Sequence, residues 1–419
     1  MKVCTLKVFL DNNASSKVSE TVVKAMIPYF TDIISPPGSE YGISAGVEAK
    51  EALDEARTVI AKKLQVDPEE LVFTSGQTES NNLAIKGIAF ANLNSENKYI
   101  IASSVSHFSI LDSLESLKKY FGFEYDLIKV DSEGFIDRTH LTELLAKHPL
   151  IVSIPHGNQE IGTVEDLEDI IDLCHKFNTL IHIEASYSFC KVPLDGSKPD
   201  LVTITAHLIH GPKGVGALKI RKKVKIVRLM DGGLQENHKR GGTENIPGIV
   251  GFATAVSEYA PEINNYTQEL RDYLWENLKK KISNFQLTGA ADKTKRIPNH
   301  LSLVFNYVEG ESILLHLDML GFMIATGSAC SSKRLEASHV LTAIGLPTEV
   351  SHGSVRIGVS QYNTKEEIDA FIPELNKVIK RLREMSPVNE EFMKEYFEMK
   401  AAGKIHDEHD HHHEIEEHD

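Results

Sequence analysis

The 419-residue chain is poor in several things that would narrow its reading at once. It has one tryptophan and only four cysteines. The cysteines, Cys4, Cys174, Cys190 and Cys330, lie far apart and form no C-x-x-C pair, which argues against a disulfide framework or an all-thiolate zinc site. Any cysteine chemistry must rest on single thiols. No apolar run approaches the roughly 20 residues that cross a bilayer, and the apolar stretch in "MKVCTLKVFLDNNASS" is too short for a signal peptide. The expectation is a cytoplasmic protein with no membrane partner. Positive charge is also scarce: 45 Lys and Arg stand against 60 Asp and Glu, a formal net charge of -15. An acidic surface does not attract nucleic-acid phosphates. Much of the excess is local, because "HDEHDHHHEIEEHD" at His406 to Asp419 carries seven carboxylates and six histidines.

What is present is enough apolar residue, 41% of the chain, to build two or three packed units. From about residue 45 to 220, amphipathic helical segments alternate with short, strongly apolar strands. "VEAKEALDEARTVIAKKL" has helical spacing, and the strands read "ELVFTS", "KYIIASS", "YDLIKV", "LIVSIPHG", "TLIHIEAS", "DLVTITAH" and "GVGALKI". That alternation predicts a mainly parallel seven-stranded sheet covered by helices on both faces. Polar clusters stand at five strand ends: "TSGQTESNN", "SVSHFS", "HGNQEIG", "EASYS" and "TAHLIHGPKG". Ligands of such sheets bind at the carboxyl ends of the strands, so the five clusters mark one site.

Beyond Lys222 a glycine-rich loop, "DGGLQENHKRGGTENIPG", leads into a helical run from about Gly248 to Ile282, and a smaller α+β unit follows. The expected organisation is an N-terminal segment (1–20) packing with the small unit, a large α/β domain (21–260), a small α+β domain (261–387), and a helix with a disordered His- and acid-rich tail (388–419).

Two of the clusters carry chemistry without outside help. "SGQTESNN" is a turn of small and hydroxyl residues entering a helix, where backbone N–H groups with Gln77 and Thr78 can hold a phosphate. An ordinary N-cap explains the same residues. Cys330 sits in "TGSACSSK", a run of small residues that would expose a thiol rather than bury it.

From about Val8 to Met385 the chain closely resembles the NifS/IscS-type cysteine desulfurases, enzymes of the fold-type-I, class-V aminotransferase-like group that use pyridoxal phosphate (PLP). The resemblance is carried by "LDNNASS", "FTSGQTESNNLAIKG", "HGNQEIGTVED", "GPKGVGAL", "RGGTENIPGIVGFATA", "VEGESILLHLDMLG", "TGSACSSK", "SHVLTAIG" and "YNTKEEID". It implies that Gln77, Thr78, Thr205 and His207 bind the cofactor phosphate, with Thr243 reaching the partner's site in a homodimer. It also implies that His107 stacks on the pyridine ring, that Asn158 bonds the phenolic oxygen, that Asn13 lies with the substrate, and that Cys330 takes sulfur from L-cysteine as a persulfide while alanine is released. An iron–sulfur scaffold or another sulfur acceptor is the implied partner.

The departures from the family pattern fall on the chemistry. Leu208 stands where the family has its Schiff-base lysine, directly after His207. That lysine exchanges with the substrate amine and shuttles protons, a role commonly worth about 10² to 10⁴ in rate. Gln361 stands where an arginine would clamp the substrate carboxylate, Glu184 where an aspartate pairs with the pyridine nitrogen, Tyr187 where a glutamine approaches the phenolic oxygen, and Ser106 where a glutamate precedes the stacking histidine. Two readings stay open. One is a chain whose desulfurase activity is impaired or lost and which serves as a sulfur carrier or scaffold partner. The other is an active enzyme that binds PLP noncovalently and uses another base, with His107, His207 or His210 nearest in sequence. His409, His411, His412 and His413 in the tail could take a metal ion, although their spacing fixes no geometry.

Overall fold

The computed structural model describes residues 7–39, 42–327 and 337–402. Cys330 and the tail histidines lie outside the described residues. Strand β1 is Val8–Phe9, and seven strands then build the large sheet: β2 (Leu71–Thr74), β3 (Tyr99–Ser103), β4 (Glu124–Ile128), β5 (Ile151–Pro155), β6 (Leu180–Glu184), β7 (Leu201–Thr205) and β8 (Gly216–Ile220). Their order across the sheet is β2-β8-β7-β6-β5-β3-β4. All are mutually parallel except β8, which runs antiparallel to both β7 and β2. The exception has a simple cause. Only Ala206 to Val215 connects β7 to β8, too few residues for a crossover helix, so the chain turns back on itself.

Successive residues of a strand serve opposite faces. Val72, Ile100, Ile151 and Leu201 pack with the helices Gln77–Ala91 and Phe108–Phe121, whereas their neighbours Phe73, Ile101, Val152 and Val202 pack with Ser44–Leu64 and Ile246–Glu258. Burial on both faces explains why these strands read as unbroken apolar runs. Each fully buried aliphatic side chain contributes about 1.5–3 kcal/mol.

A second sheet has the order β12-β13-β10-β9, with β9 (Phe285–Leu287), β10 (His300–Phe305), β12 (Ala325–Thr326) and β13 (Ser354–Gly358) all antiparallel. The helices Pro261–Lys281, Gly310–Met319 and Lys365–Met385 close its core around Leu274, Leu303, Ile357 and Phe371. Strand β1 pairs in parallel with β11 (Phe322–Met323). The helical run expected over Gly248 to Ile282 is in fact two helices, Ile246–Glu258 and Pro261–Lys281. Pro261 pushes Ala260 into extended backbone (φ -81°, ψ 150°) and so breaks the run.

Candidate active site

The carboxyl ends of β2, β3, β5, β6 and β7 open at one edge of the large sheet, and the polar clusters gather there. At the first of them, β2 passes through Gly76 (φ 144°) into the helix Gln77–Ala91. A side chain there would be strained, and a Cβ on Gly216 opposite would come within 2.7 Å of Gly76 Cα. Two glycines thus bring the turn and β8 together. The first bond inside the helix is Ser80 N to Gly76 O at 3.1 Å, which leaves the amides of Gln77, Thr78 and Glu79 without intrahelical acceptors. Gln77 is buried with an unpaired Nε2, while Thr78 is exposed. Thr205 Oγ1 lies near where a Cβ of Gly76 would be, at 3.9 Å, and 2.8 Å from His207 Nδ1. Gln77, Thr78, Thr205 and His207 therefore converge on one set of donors suited to an oxyanion. Thr243 is exposed on the loop before Ile246–Glu258.

His107 serves as the N-cap of Phe108–Phe121, with Nδ1 accepting from Ser109 N at 3.1 Å. The proton of the neutral ring then belongs on Nε2. Burial, followed by the nearby His339, lowers His107 to about pKa 4. His339, on the helix His339–Ala343, donates from Nε2 to Ser106 O at 2.9 Å and sets its ring against Phe108 at 4.6 Å. The chain on the far side of the Cys330 segment is thereby fixed to the large sheet.

Asn158 is largely consumed by its own turn. Its Oδ1 accepts from the amides of Glu160 and Ile161, and its Nδ2 donates to Val105 O at 3.0 Å. One amide proton is left for a ligand. Glu184 ends β6 fully buried, with Oε1 accepting from Ser186 N at 2.8 Å and Oε2 unpaired. Burial pushes its carboxyl up to about 7 against the pull of Ser186. A protonated ring nitrogen is the kind of partner that orphaned oxygen lacks. Tyr187 is half-buried on the same turn.

Leu208 is 2% exposed, in the turn that carries His207. The N-terminal segment clasps this turn: Ser16 Oγ donates to His207 O and accepts from His210 N, both at 2.8 Å. His210 donates from Nδ1 to Lys17 O at 2.9 Å and packs edge-on against Tyr362. Asn13 is buried against β13, its Nδ2 3.4 Å from Ile357 O. Gln361 lines a cavity of about 360 Å³ with Lys17, Glu20, Glu258 and Tyr362.

Further polar groups are buried. Arg356 Nη1 and His300 Nε2 both donate to Gln159 O, at 3.3 and 3.1 Å. Glu160 is buried with Oε1 unpaired, and burial raises its carboxyl to about 7, opposed by Ser338 and Arg356. A Cβ on Gly327 would come within 2.9 Å of that oxygen, so residues on both sides of the Cys330 segment approach Glu160. Lys191 is buried with an unpaired Nζ. The available signal was a lone cation in the small, apolar run "YSFCKVP". Among the described residues, no group of three or more His, Cys, Asp or Glu is placed to hold a metal ion.

Group by group these residues fit PLP: helix amides, Gln77, Thr205 and His207 for the phosphate, His107 for the ring face, and Glu184 for the ring nitrogen. Leu208, which has no amine, is the residue that does not fit a covalently held cofactor. Sheet order, strand-end site and second antiparallel sheet define a fold-type-I PLP-dependent transferase architecture. The aminotransferase class-V family matches residues 8–371, and the chain belongs to that family, in its NifS/IscS-type cysteine desulfurase branch. It is 43% identical over 392 residues to cysteine desulfurase IscS of Dictyoglomus turgidum, covering 92% of this chain and 98% of the relative. It is 41% identical to cysteine desulfurase IscS of Methanosarcina thermophila over 386 residues, 91% of this chain and 94% of the relative. Among solved structures, a NifS-like protein superposes with a TM-score of 0.82 at 32% identity, covering 90% of this chain and all of that one. SspA in complex with cysteine gives 0.75 at 31% identity, covering 86% and 100%.

Proposed function

We propose that the protein binds PLP at the strand-end site and mobilises sulfur from L-cysteine, with Cys330 as the sulfur carrier and with turnover held down by Leu208. The observation that carries this reading is the contrast at one end of the sheet: donors suited to a phosphate and an orphaned Glu184 oxygen at the same strand ends as the buried Leu208. PLP, when bound, supplies an electron sink that weakens bonds at the Cα of an amino acid. The chain's own residues hold the phosphate, fix the ring and place charge at its nitrogen. Cys330 forms a sulfur–sulfur bond to the substrate sulfur as the carbon–sulfur bond of cysteine breaks, leaving alanine and a persulfide for an acceptor such as an iron–sulfur scaffold.

The three histidines nearest the lost lysine are poor replacements as bases. Burial first, then Lys213 and Lys191, lower His207 to about pKa 4, and His107 sits at the same level. A base works best with a pKa near the working pH. His210 is turned toward Lys17 and Tyr362.

A homodimer in the cytoplasm is part of the proposal. Exposed Val23, Ile27, Phe30, Ile34 and Ile43 in the N-terminal helical region support a self-interface, as does exposed Thr243. The test is an assay of alanine and sulfide from L-cysteine with added PLP, paired with a trap for persulfide on Cys330. Slow alanine release and a persulfide that both vanish in Cys330→Ala are expected. Protein that neither binds PLP nor carries sulfur on Cys330 would overturn the reading.

A further inference from the structure

Lys191 stands in a cavity of its own, apart from the strand-end site. Beyond β6 the chain turns over residues 186–191, and Cys190 there holds left-handed backbone (φ 65°). Asn264, on the helix Pro261–Lys281, donates from Nδ2 to Cys190 O at 3.0 Å and ties the turn to the small unit. Where this turn and helix meet the end of the helix Ser44–Leu64, they line a cavity of about 260 Å³. Lys63 and Lys191 bring charge to it, and Phe189, Leu194 and Pro261 form its apolar wall. None of the residues assigned above to phosphate, ring or substrate lines it.

No described carboxylate lines this cavity. A neighbouring cavity of about 580 Å³ shares Gln65, Val192, Pro193 and Leu194 with it, yet carries Glu165, Asp166, Glu168 and Asp195 beside Lys198 and Lys295. Opposite charge is thus sorted between two adjacent hollows. Lys191 is 4% exposed, and its Nζ makes no hydrogen bond. The other buried lysine among the described residues, Lys219, donates to Pro199 O at 2.7 Å. A buried ammonium with no partner is costly, and an anion beside it relieves that cost. Burial lowers Lys191 only to about 8, so most of its charge remains at neutral pH. Cys190, whose thiol burial pushes up to about 12, is neutral there and offers no counter-charge.

We propose that this cavity binds a small organic acid, its carboxylate on Lys191 and Lys63 and its apolar body against Phe189, Leu194 and Pro261. The volume falls just below the roughly 300–1,000 Å³ of sites for drug-sized ligands, so the acid carries only a few carbons. Its binding does not depend on PLP at the strand ends.

The test is calorimetric titration of the full-length protein with isovalerate, with chloride holding the ionic strength constant. Isovalerate is expected to bind, and isovaleramide, the same body without the charge, to bind roughly tenfold more weakly. Lys191→Met should abolish isovalerate binding, and Lys63→Met, a change at an exposed residue, should weaken it about threefold. A native chain that does not bind isovalerate overturns the proposal, as does binding that is unchanged in Lys191→Met or matched by isovaleramide. So does inorganic phosphate that binds as tightly as isovalerate and is lost in Lys191→Met, which makes the cavity a site for free anions instead of an organic acid. Should Lys191→Met fail to fold, Lys63→Met and the amide decide, and equal affinity in those titrations overturns the site.

Discussion

The two ends of the candidate site have been treated differently. At the phosphate end, Gln77, Thr205 and His207 stand on a helix terminus and a strand terminus that the fold must build anyway. At the ring and substrate end stand Leu208, Glu184, Tyr187 and Gln361, the residues that the sequence resemblance marks as departures, and the buried Glu184 Oε2 lacks a partner. Anchoring a cofactor and doing chemistry on it are thus separable properties of one fold. The second can drift while packing preserves the first.

The largest effect expected from breaking that contrast belongs to Leu208→Lys. Restoring an amine and proton shuttle on the cofactor turn should raise alanine release from L-cysteine by about 10² to 10⁴. No gain would mean that the other departures, not Leu208, limit the reaction. Next comes Glu184→Gln, read in the PLP-free protein by denaturant unfolding across pH. Glu184 binds its proton more tightly in the folded state, at about 7 against an ordinary 4.5. The contribution of Glu184 to stability should therefore be greatest below about pH 4.5, fall as pH rises to about 7, and stay depressed above it. The glutamine variant should remove a penalty on the order of 3 kcal/mol at pH 8. Glu160 shifts in the same direction, so part of the decline should survive. The smallest effect is expected from Gln361→Arg. A guanidinium there gains a charge-assisted bond to a substrate carboxylate, but Glu20 and Glu258 line the same cavity and compete for it. A drop in KM for cysteine of roughly tenfold is expected, at the low end of what such a bond supplies.

The large sheet was legible because most of its strands are buried on both faces and announce themselves as apolar runs. Its helices were less so where a local effect intervened, as at Pro261. At the site, motif register placed Thr205 beside His207 and both near Gln77, and the structure brings them together. Register could not show that Asn158 spends most of its hydrogen-bonding capacity on its own turn. Nor could it show that His107 is an N-cap with a lowered pKa. Those facts depend on which atoms face each other across the fold. Lys191 and Glu160 were missed for the same reason, since a charged residue in sequence looks solvated until its burial is known.

The clasp between Ser16 and the Leu208 turn, together with the pairing of β1 and β11, bears on how the molecule is made. Residues near the start of the chain end up held by partners that leave the ribosome much later, His207 and His210 on the turn after β7 and Phe322–Met323 in β11. Such distant contacts close slowly and expose unpaired strand edges in the meantime. The large sheet can assemble during synthesis, but the N-terminal segment finds its last strand partner only after β11 has emerged.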